Sequence, residues 1–165
     1  MTAALRQAAT DADVALARAL FVEYAAWLGV DLCFQGFDQE LATLPGAYAP
    51  PAGRLLLAGE PGTAFGCIAL RPLEWRDDRG PDPVPDIGEV KRLYVQPAHR
   101  HGGWGHRLAA ALLAEARAIG YRELKLDTLE WMTAARALYA RLGFRECAPY
   151  YRNPLPGVVY MACTL

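Results

Sequence analysis

The stretch Glu89–Leu113, EVKRLYVQPAHRHGGWGHRLAAALL, gathers the side chains best suited to gripping an anion. Gly102, Gly103 and Gly105 fall between an apolar strand-like run and a Leu/Ala-rich helical run. Glycines let the backbone take positive φ and bring N–H groups close to a ligand. The start of the following helix adds unpaired donors and the positive end of a dipole, a combination that suits phosphate oxygens. Lys91, Arg92, Arg100 and Arg107 lie here, with all three histidines, His99, His101 and His106. From Val90 to Ala114 there is no Asp or Glu. Helix starts usually favour acids in the first turn, so their absence points to a site that receives an external anion. No G-K-[ST] follows the glycines, which excludes a nucleotide-hydrolase loop, and the spacing does not match a dinucleotide fingerprint.

The elements around this segment read as mixed α/β. Leu5–Ala8 is a short strand, and Thr10–Asp13 forms a capping box. Val14, Ala17, Leu20, Phe21, Tyr24 and Leu28 then recur at helical spacing. Phe37–Leu44 is a second helix, and Arg54–Gly59 with Thr63–Leu70 makes a hairpin around Glu60-Pro61-Gly62. Trp75–Asp86 carries three prolines and four aspartates and reads as an exposed loop. Ile87–Val95 is a strand, Trp104–Ile119 a helix stopped by Gly120, and Glu123–Thr128 a strand. Thr133–Leu142 is a helix, followed by strands at Phe144–Cys147 and Val158–Thr164. The strand–helix–strand unit over residues 87–128 makes its two strands parallel.

With 165 residues and 53% hydrophobic content, residues 1–165 are expected to form a single domain. A formal net charge of −1 gives no reason to expect nucleic acid or an anionic membrane as partner. No apolar run approaches the ~20 residues of a membrane span, and the N-terminus lacks a signal layout, so a soluble, cytoplasmic protein is expected. Cys33, Cys67, Cys147 and Cys163 are widely spaced, without the clustering of a metal site. They read as reduced structural thiols, and no metal is expected.

Arg100-His101-Gly102-Gly103-Trp104-Gly105 resembles the R/Q-x-x-G-x-G/A motif of the GNAT superfamily of N-acetyltransferases. Ala134-x-x-x-Leu138-Tyr139-x-x-Leu142-Gly143-Phe144 is similar to a second motif of that family. The ending, PYYRNPLPGVVYM, resembles a subgroup of uncharacterised bacterial members. The resemblance implies a mixed sheet with helices on both faces, whose two central parallel strands splay apart to admit coenzyme A. Acetyl-CoA is the implied co-substrate, and the acceptor is a primary amine of a small molecule or peptide. Its pyrophosphate would rest on the backbone N–H groups of residues 101–105, with Arg100, His101, Gly102, Gly103, Trp104, Gly105 and His106 as cofactor-binding residues. The strand edge at Leu93, Tyr94 and Val95 would pair with the pantetheine amides. A homodimer is compatible with the family. The rival functions are an acyl-CoA sensor without turnover and an acyltransferase with a longer donor.

Acetyl transfer needs a neutral amine, because an alkylammonium with a pKa near ~10 is not nucleophilic at neutral pH. It also needs a donor for the developing oxyanion, expected around Leu93–Val95, and a proton for the leaving thiolate. By position in the resemblance, Tyr139 is the general acid, with a plain core aromatic as the alternative. Glu89 is the general base, expected with a raised pKa near apolar walls; the alternative is an ion pair with Lys91 on the same strand face. Met132 stands where many members carry asparagine and reads as a packing residue. Histidine at position 101 replaces a common glycine. Trp104 reads as core cover. Tyr24, Trp27, Phe34, Tyr150, Tyr151 and Asn153 are candidates for lining an acceptor pocket.

Overall fold

The computed structural model describes residues 4–74 and 83–165. β1 (Ala4–Gln7) leads into α1 (Asp11–Leu28), then α2 (Phe37–Thr43), β2 (Arg54–Gly59) and β3 (Gly66–Glu74). β4 (Pro83–Val95), α3 (Trp104–Ile119), β5 (Glu123–Leu129), α4 (Thr133–Arg141), β6 (Arg145–Glu146) and β7 (Val158–Thr164) complete the order. The strands form one mixed sheet in the order β1-β2-β3-β4-β5-β7-β6, with β4 and β5 as its parallel pair.

Local chemistry sets the helix limits. The Thr10 side chain accepts from the Asp13 amide and Asp13 accepts back from the Thr10 amide, closing a capping box, while Gly29 at φ 70° ends α1. Leu108, Leu112 and Ala116 of α3 are fully buried on one stripe. Each of the two leucines contributes about 2 kcal/mol through that burial. Gly120 at φ 109° stops the helix, where a side chain would be strained.

The sheet has two apolar faces, each covered by helices. α3 and α4 pack on the face carrying Leu56, Ile68, Leu70, Val90, Leu124 and Leu126. α1 and α2 cover the opposite face, where Leu55, Leu57, Cys67, Ala69 and Tyr94 lie. No helix among the described residues is long and apolar enough to cross a membrane.

Several boundaries differ from the sequence reading, most of them by one residue, and three have a clear physical reason. Pro83–Asp86, expected as loop, is the start of β4. Prolines are tolerated there because β5 pairs only from Ile87 onward, so they interrupt no ladder on that side. The remainder of the expected loop, 75–82, lies outside the described residues. β3 begins at Gly66, later than expected, because the Thr63 amide closes a turn on the Glu60 carbonyl. β6 spans only Arg145–Glu146, since the Phe144 amide is held by the Tyr139 carbonyl at the end of α4.

Candidate active site

β4 and β5 are hydrogen-bonded only where Ile87–Glu89 faces Glu123–Lys125. Past that point β4 continues to Val95 against β3, and β5 continues to Leu129 against β7. The two central strands therefore diverge. Between Cys67↔Tyr94 and Ala69↔Lys91 the register gains one residue on β4, a bulge at Arg92–Leu93. Arg92 sits at φ 60°, a left-handed conformation that costs a non-glycine residue about 1–2 kcal/mol. The cleft opened by this divergence holds about 60 Å³ and is lined by Lys91, Leu93, Asp127, Met132, Tyr139 and Tyr24 among others.

At the open end of β4 a 3-10 turn, Pro97–His99, leads to the glycine-rich loop. His101 and Gly103 take φ 68° and 75°. α3 begins after Gly103 with no side-chain cap and no acid in its first turn. Among the described residues, none accepts a hydrogen bond from the backbone amides of His101 through His106. Six consecutive N–H groups without such a partner at a helix start are able to receive an anion. They fit a pyrophosphate, and the open space around Gly103 leaves room for it.

The side chains of the loop mostly build its frame. Arg100 Nε donates to the Val95 carbonyl at 2.9 Å, and its guanidinium lies 4.8 Å from the Trp27 ring. Trp104 packs edge-on against Phe65 at 5.0 Å and carries the Arg107 guanidinium on its face at 3.9 Å. A Cβ at Gly105 would stand 3.1 Å from Leu138, so glycine there allows α3 and α4 to approach.

The other wall of the cleft carries Lys91, Arg92 and Asp127, backed by further buried charges. Six groups alternate in sign: Arg92, Glu40, Arg71, Glu89, Lys91 and Asp127. Arg92 Nε meets Glu40 at 2.8 Å, Arg71 Nη1 lies 3.9 Å from Glu40, and Arg71 Nη2 meets Glu89 at 2.8 Å. Lys91 stands 3.9 Å from Glu89 and 3.2 Å from Asp127. Tyr150 donates to Glu89 at 2.8 Å, and Tyr151 and Asn153 donate to Asp127. Burial alone would raise the pKa of Glu89, but Lys91 and Arg71 outweigh it and hold the carboxyl below its ordinary value. Asp127 is lowered in the same way: burial raises it, and Lys91, Tyr151 and Asn153 more than offset that.

Tyr139 is 7% exposed and faces this cleft. No hydrogen-bond partner for its hydroxyl is recorded among the described residues. Burial, then the proximity of Tyr24 and Asp127, pushes its pKa well above the ordinary phenol value. Tyr24 is pushed up to about 12, mainly by burial.

The acetyltransferase (GNAT) family model matches residues 18–144. The chain belongs to the GNAT family. As a GNAT protein it is an acyltransferase. An uncharacterised N-acetyltransferase of Schizosaccharomyces pombe is 41% identical over 143 residues, covering 86% of this chain and 82% of the relative. A Klebsiella pneumoniae structure assigned as an acyl-CoA N-acyltransferase is 30% identical, with a TM-score of 0.68 and coverage of 99% and 97%. A Salmonella typhimurium acetyltransferase structure with its cofactor acetyl-CoA shares the fold at 23% identity, with a TM-score of 0.72 and coverage of 99% and 94%.

Within this GNAT fold, Leu93 and Tyr139 lie together at the cleft, and the 101–106 amides lie at the loop beyond Val95. Glu89 is set one layer back, 4% exposed, behind Lys91 and Asp127. The expected rise in its pKa is corrected to a fall, because cations rather than apolar walls surround it. Met132 lines the cleft and its sulfur accepts from Thr128 at 3.6 Å. Of the aromatic candidates for the acceptor pocket, Tyr24 lines the cleft, Tyr151 braces Asp127 and Tyr150 braces Glu89. Asn153 also lines it. Trp27 stands 5.6 Å from Trp131 with both rings exposed, and Phe34 is half-buried against the core cluster on the α1 face of the sheet. Asp127, Glu40 and Gln35 were missed in the sequence. The alternation Glu123, Lys125, Asp127 against Leu124 and Leu126 was the available signal for a polar strand face.

Proposed function

We propose that this protein transfers an acetyl group from acetyl-CoA to a primary amine of a small molecule or peptide, by direct attack of the amine on the thioester. The observation that carries this reading is the pairing of six free amides, His101–His106, with a splayed cleft into which Tyr139 faces. Acetyl-CoA supplies an activated acetyl thioester.

The chain's own groups divide the work. The amides of residues 101–106 hold the pyrophosphate, and Arg100 keeps their loop against Val95. Leu93 has no register partner on β3 or β5, and in this reading its amide serves the developing oxyanion. Tyr139, protonated across the working pH range, delivers its hydroxyl proton to the sulfur as the C–S bond breaks; the proton shed by the attacking nitrogen passes to water, and the phenolate is reprotonated from water. Glu89 is clasped by Arg71 and Tyr150. In this reading it fixes Lys91 and Asp127 rather than accepting the amine's proton, and the amine enters as its free base. The Leu28, Leu32 and Leu155 side chains limit water near the reacting groups.

The test is thiol release from acetyl-CoA, followed with a thiol reagent across a panel of primary amines. At least one amine is expected to raise release well above background hydrolysis, giving the N-acetyl product by mass spectrometry. Saturable acetyl-CoA binding with no amine-dependent release would make the protein a sensor and overturn the reading.

A further inference from the structure

We infer that Glu40, on α2 and remote from the reacting atoms, is a positioning residue for the reaction, acting through Arg92 to hold the β4 bulge. This rests on the proposed role of the Leu93 amide.

Arg92 is left-handed without being glycine, and it stands in the bulge where β4 leaves the register of its neighbour. Such a conformation persists only when its surroundings over-determine it. The surroundings are specific. Both Glu40 carboxylate oxygens accept from the guanidinium, at 2.8 and 3.2 Å, a bidentate arrangement of high directional strength. Gln35 accepts from the third nitrogen at 2.9 Å, and the guanidinium lies 5.1 Å from the Phe37 ring. Cys67 donates to the Arg92 carbonyl at 3.3 Å, which fixes the peptide joining Arg92 to Leu93.

Glu40 is itself held from a third side, by the Tyr48 hydroxyl at 2.8 Å. The Arg92 side chain is 3% exposed and that of Glu40 9%, so water competes little for either group. The φ/ψ of Arg92 sets the direction of the next amide, that of Leu93. Releasing the clamp lets the bulge relax and turns that donor away from the oxyanion position. The clamp contacts none of residues 101–106, which lie beyond the end of β4.

Two variants of the full chain test this. Glu40→Gln removes the charge but keeps the shape. The pair Glu40→Met with Arg92→Met replaces the ion pair by apolar groups of similar size, a change that folded proteins commonly tolerate. Each is expected to lower kcat about 10- to 100-fold, the range for loss of an oxyanion donor's alignment. The KM for acetyl-CoA and the calorimetric Kd for coenzyme A should stay within about threefold, because the pyrophosphate grip of residues 101–106 carries most of that affinity. The Leu93 amide resonance should move in both variants. An unchanged kcat in the two folded variants, or a fall in kcat matched by an equal rise in KM for acetyl-CoA, overturns the inference. Absence of any transferase activity in the unmodified protein would instead overturn the proposed function. The Leu93 resonance would then still report on the clamp, and an unmoved resonance would overturn it.

Discussion

Lys91 Nζ lies 3.2 Å from Asp127 Oδ1 across the two strands that diverge, one alternation beyond the last backbone-paired residues, Glu89 and Lys125. A side-chain ion pair thus takes over where the β4–β5 ladder stops, and the cleft opens beyond it. Both side chains are under a tenth exposed. Asp127→Ala leaves Lys91 with only the more distant Glu89, and is expected to destabilise the fold by about 3 kcal/mol in urea unfolding, the scale for orphaning a buried charge. Replacing both partners by Met and Leu should recover most of that loss. A single-variant loss below about 1 kcal/mol would show that the pair does not support the divergence.

Tyr139→Phe removes a hydroxyl with no acceptor among the described residues and leaves the ring packed 5.5 Å from Phe144. Stability should be unchanged or slightly higher. The kcat is expected to fall about 100-fold, with the KM for acetyl-CoA little altered, as for loss of a general acid. Tyr24→Phe, on the same cleft, should leave kcat within about threefold. If the two variants behave alike, the proton donor is misassigned.

Glu89→Gln separates two roles. Arg71 retains Glu40 and Lys91 retains Asp127, so neither cation is stranded. A fixing role leads to a loss of less than about tenfold in kcat, whereas removing a general base costs about 10²–10⁴-fold. With the amine entering as its free base, log kcat/KM should climb with slope one up to the pKa of the amine, near ~10. An acidic limb near pH 6–7 that disappears in Glu89→Gln would restore Glu89 as the base.

The same carboxylates set the acid limit of stability. Glu89 and Asp127 are held below their ordinary values of 4.5 and 3.8 in the fold. As pH falls through this region the unfolded chain takes up protons first, so unfolding becomes easier. Stability from these groups is fully present above about pH 5 and should be lost progressively on further acidification. Urea midpoints at pH 7 and 5 are expected to agree, with a decline below pH 4.5 that is shallower in Glu89→Gln. An equal decline in the two proteins would contradict the assignment.

The proposed pyrophosphate role of the 101–106 loop can be separated from the chemistry. Gly103 sits at φ 75°, where alanine costs about 1 kcal/mol or more. Gly103→Ala should therefore raise the KM for acetyl-CoA about tenfold, through displaced amides, while kcat changes little. A fall in kcat at constant KM would place this loop in the chemistry instead.

Much of this arrangement was readable in the chain. The strand–loop–helix unit from Ile87 to Ile119 follows from apolar runs, glycines and the absence of acids, because those features act within a few residues. Tyr139 was reached through a motif. The charge chain was not legible, since Glu40, Arg71 and Asp127 meet Arg92, Glu89 and Lys91 only when α2, β3, β4 and β5 are packed together. The same long-range pairing misled the reading of Glu89. On the strand it has apolar neighbours, Val90 and Ile87, but in space it faces Arg71 from β3 and Tyr150 from the segment before β7. The bulge escaped as well, because a left-handed arginine has no local sequence signature.

Calorimetric titration of the purified protein with coenzyme A and with pantetheine, which lacks the pyrophosphate and the phosphoadenosine beyond it, tests the anion grip of residues 101–106. Coenzyme A is expected to bind at one site per chain, and pantetheine about 100-fold more weakly, the equivalent of losing two charge-assisted hydrogen bonds. Equal affinity for the two compounds, or no detectable binding of coenzyme A to folded protein, would contradict it.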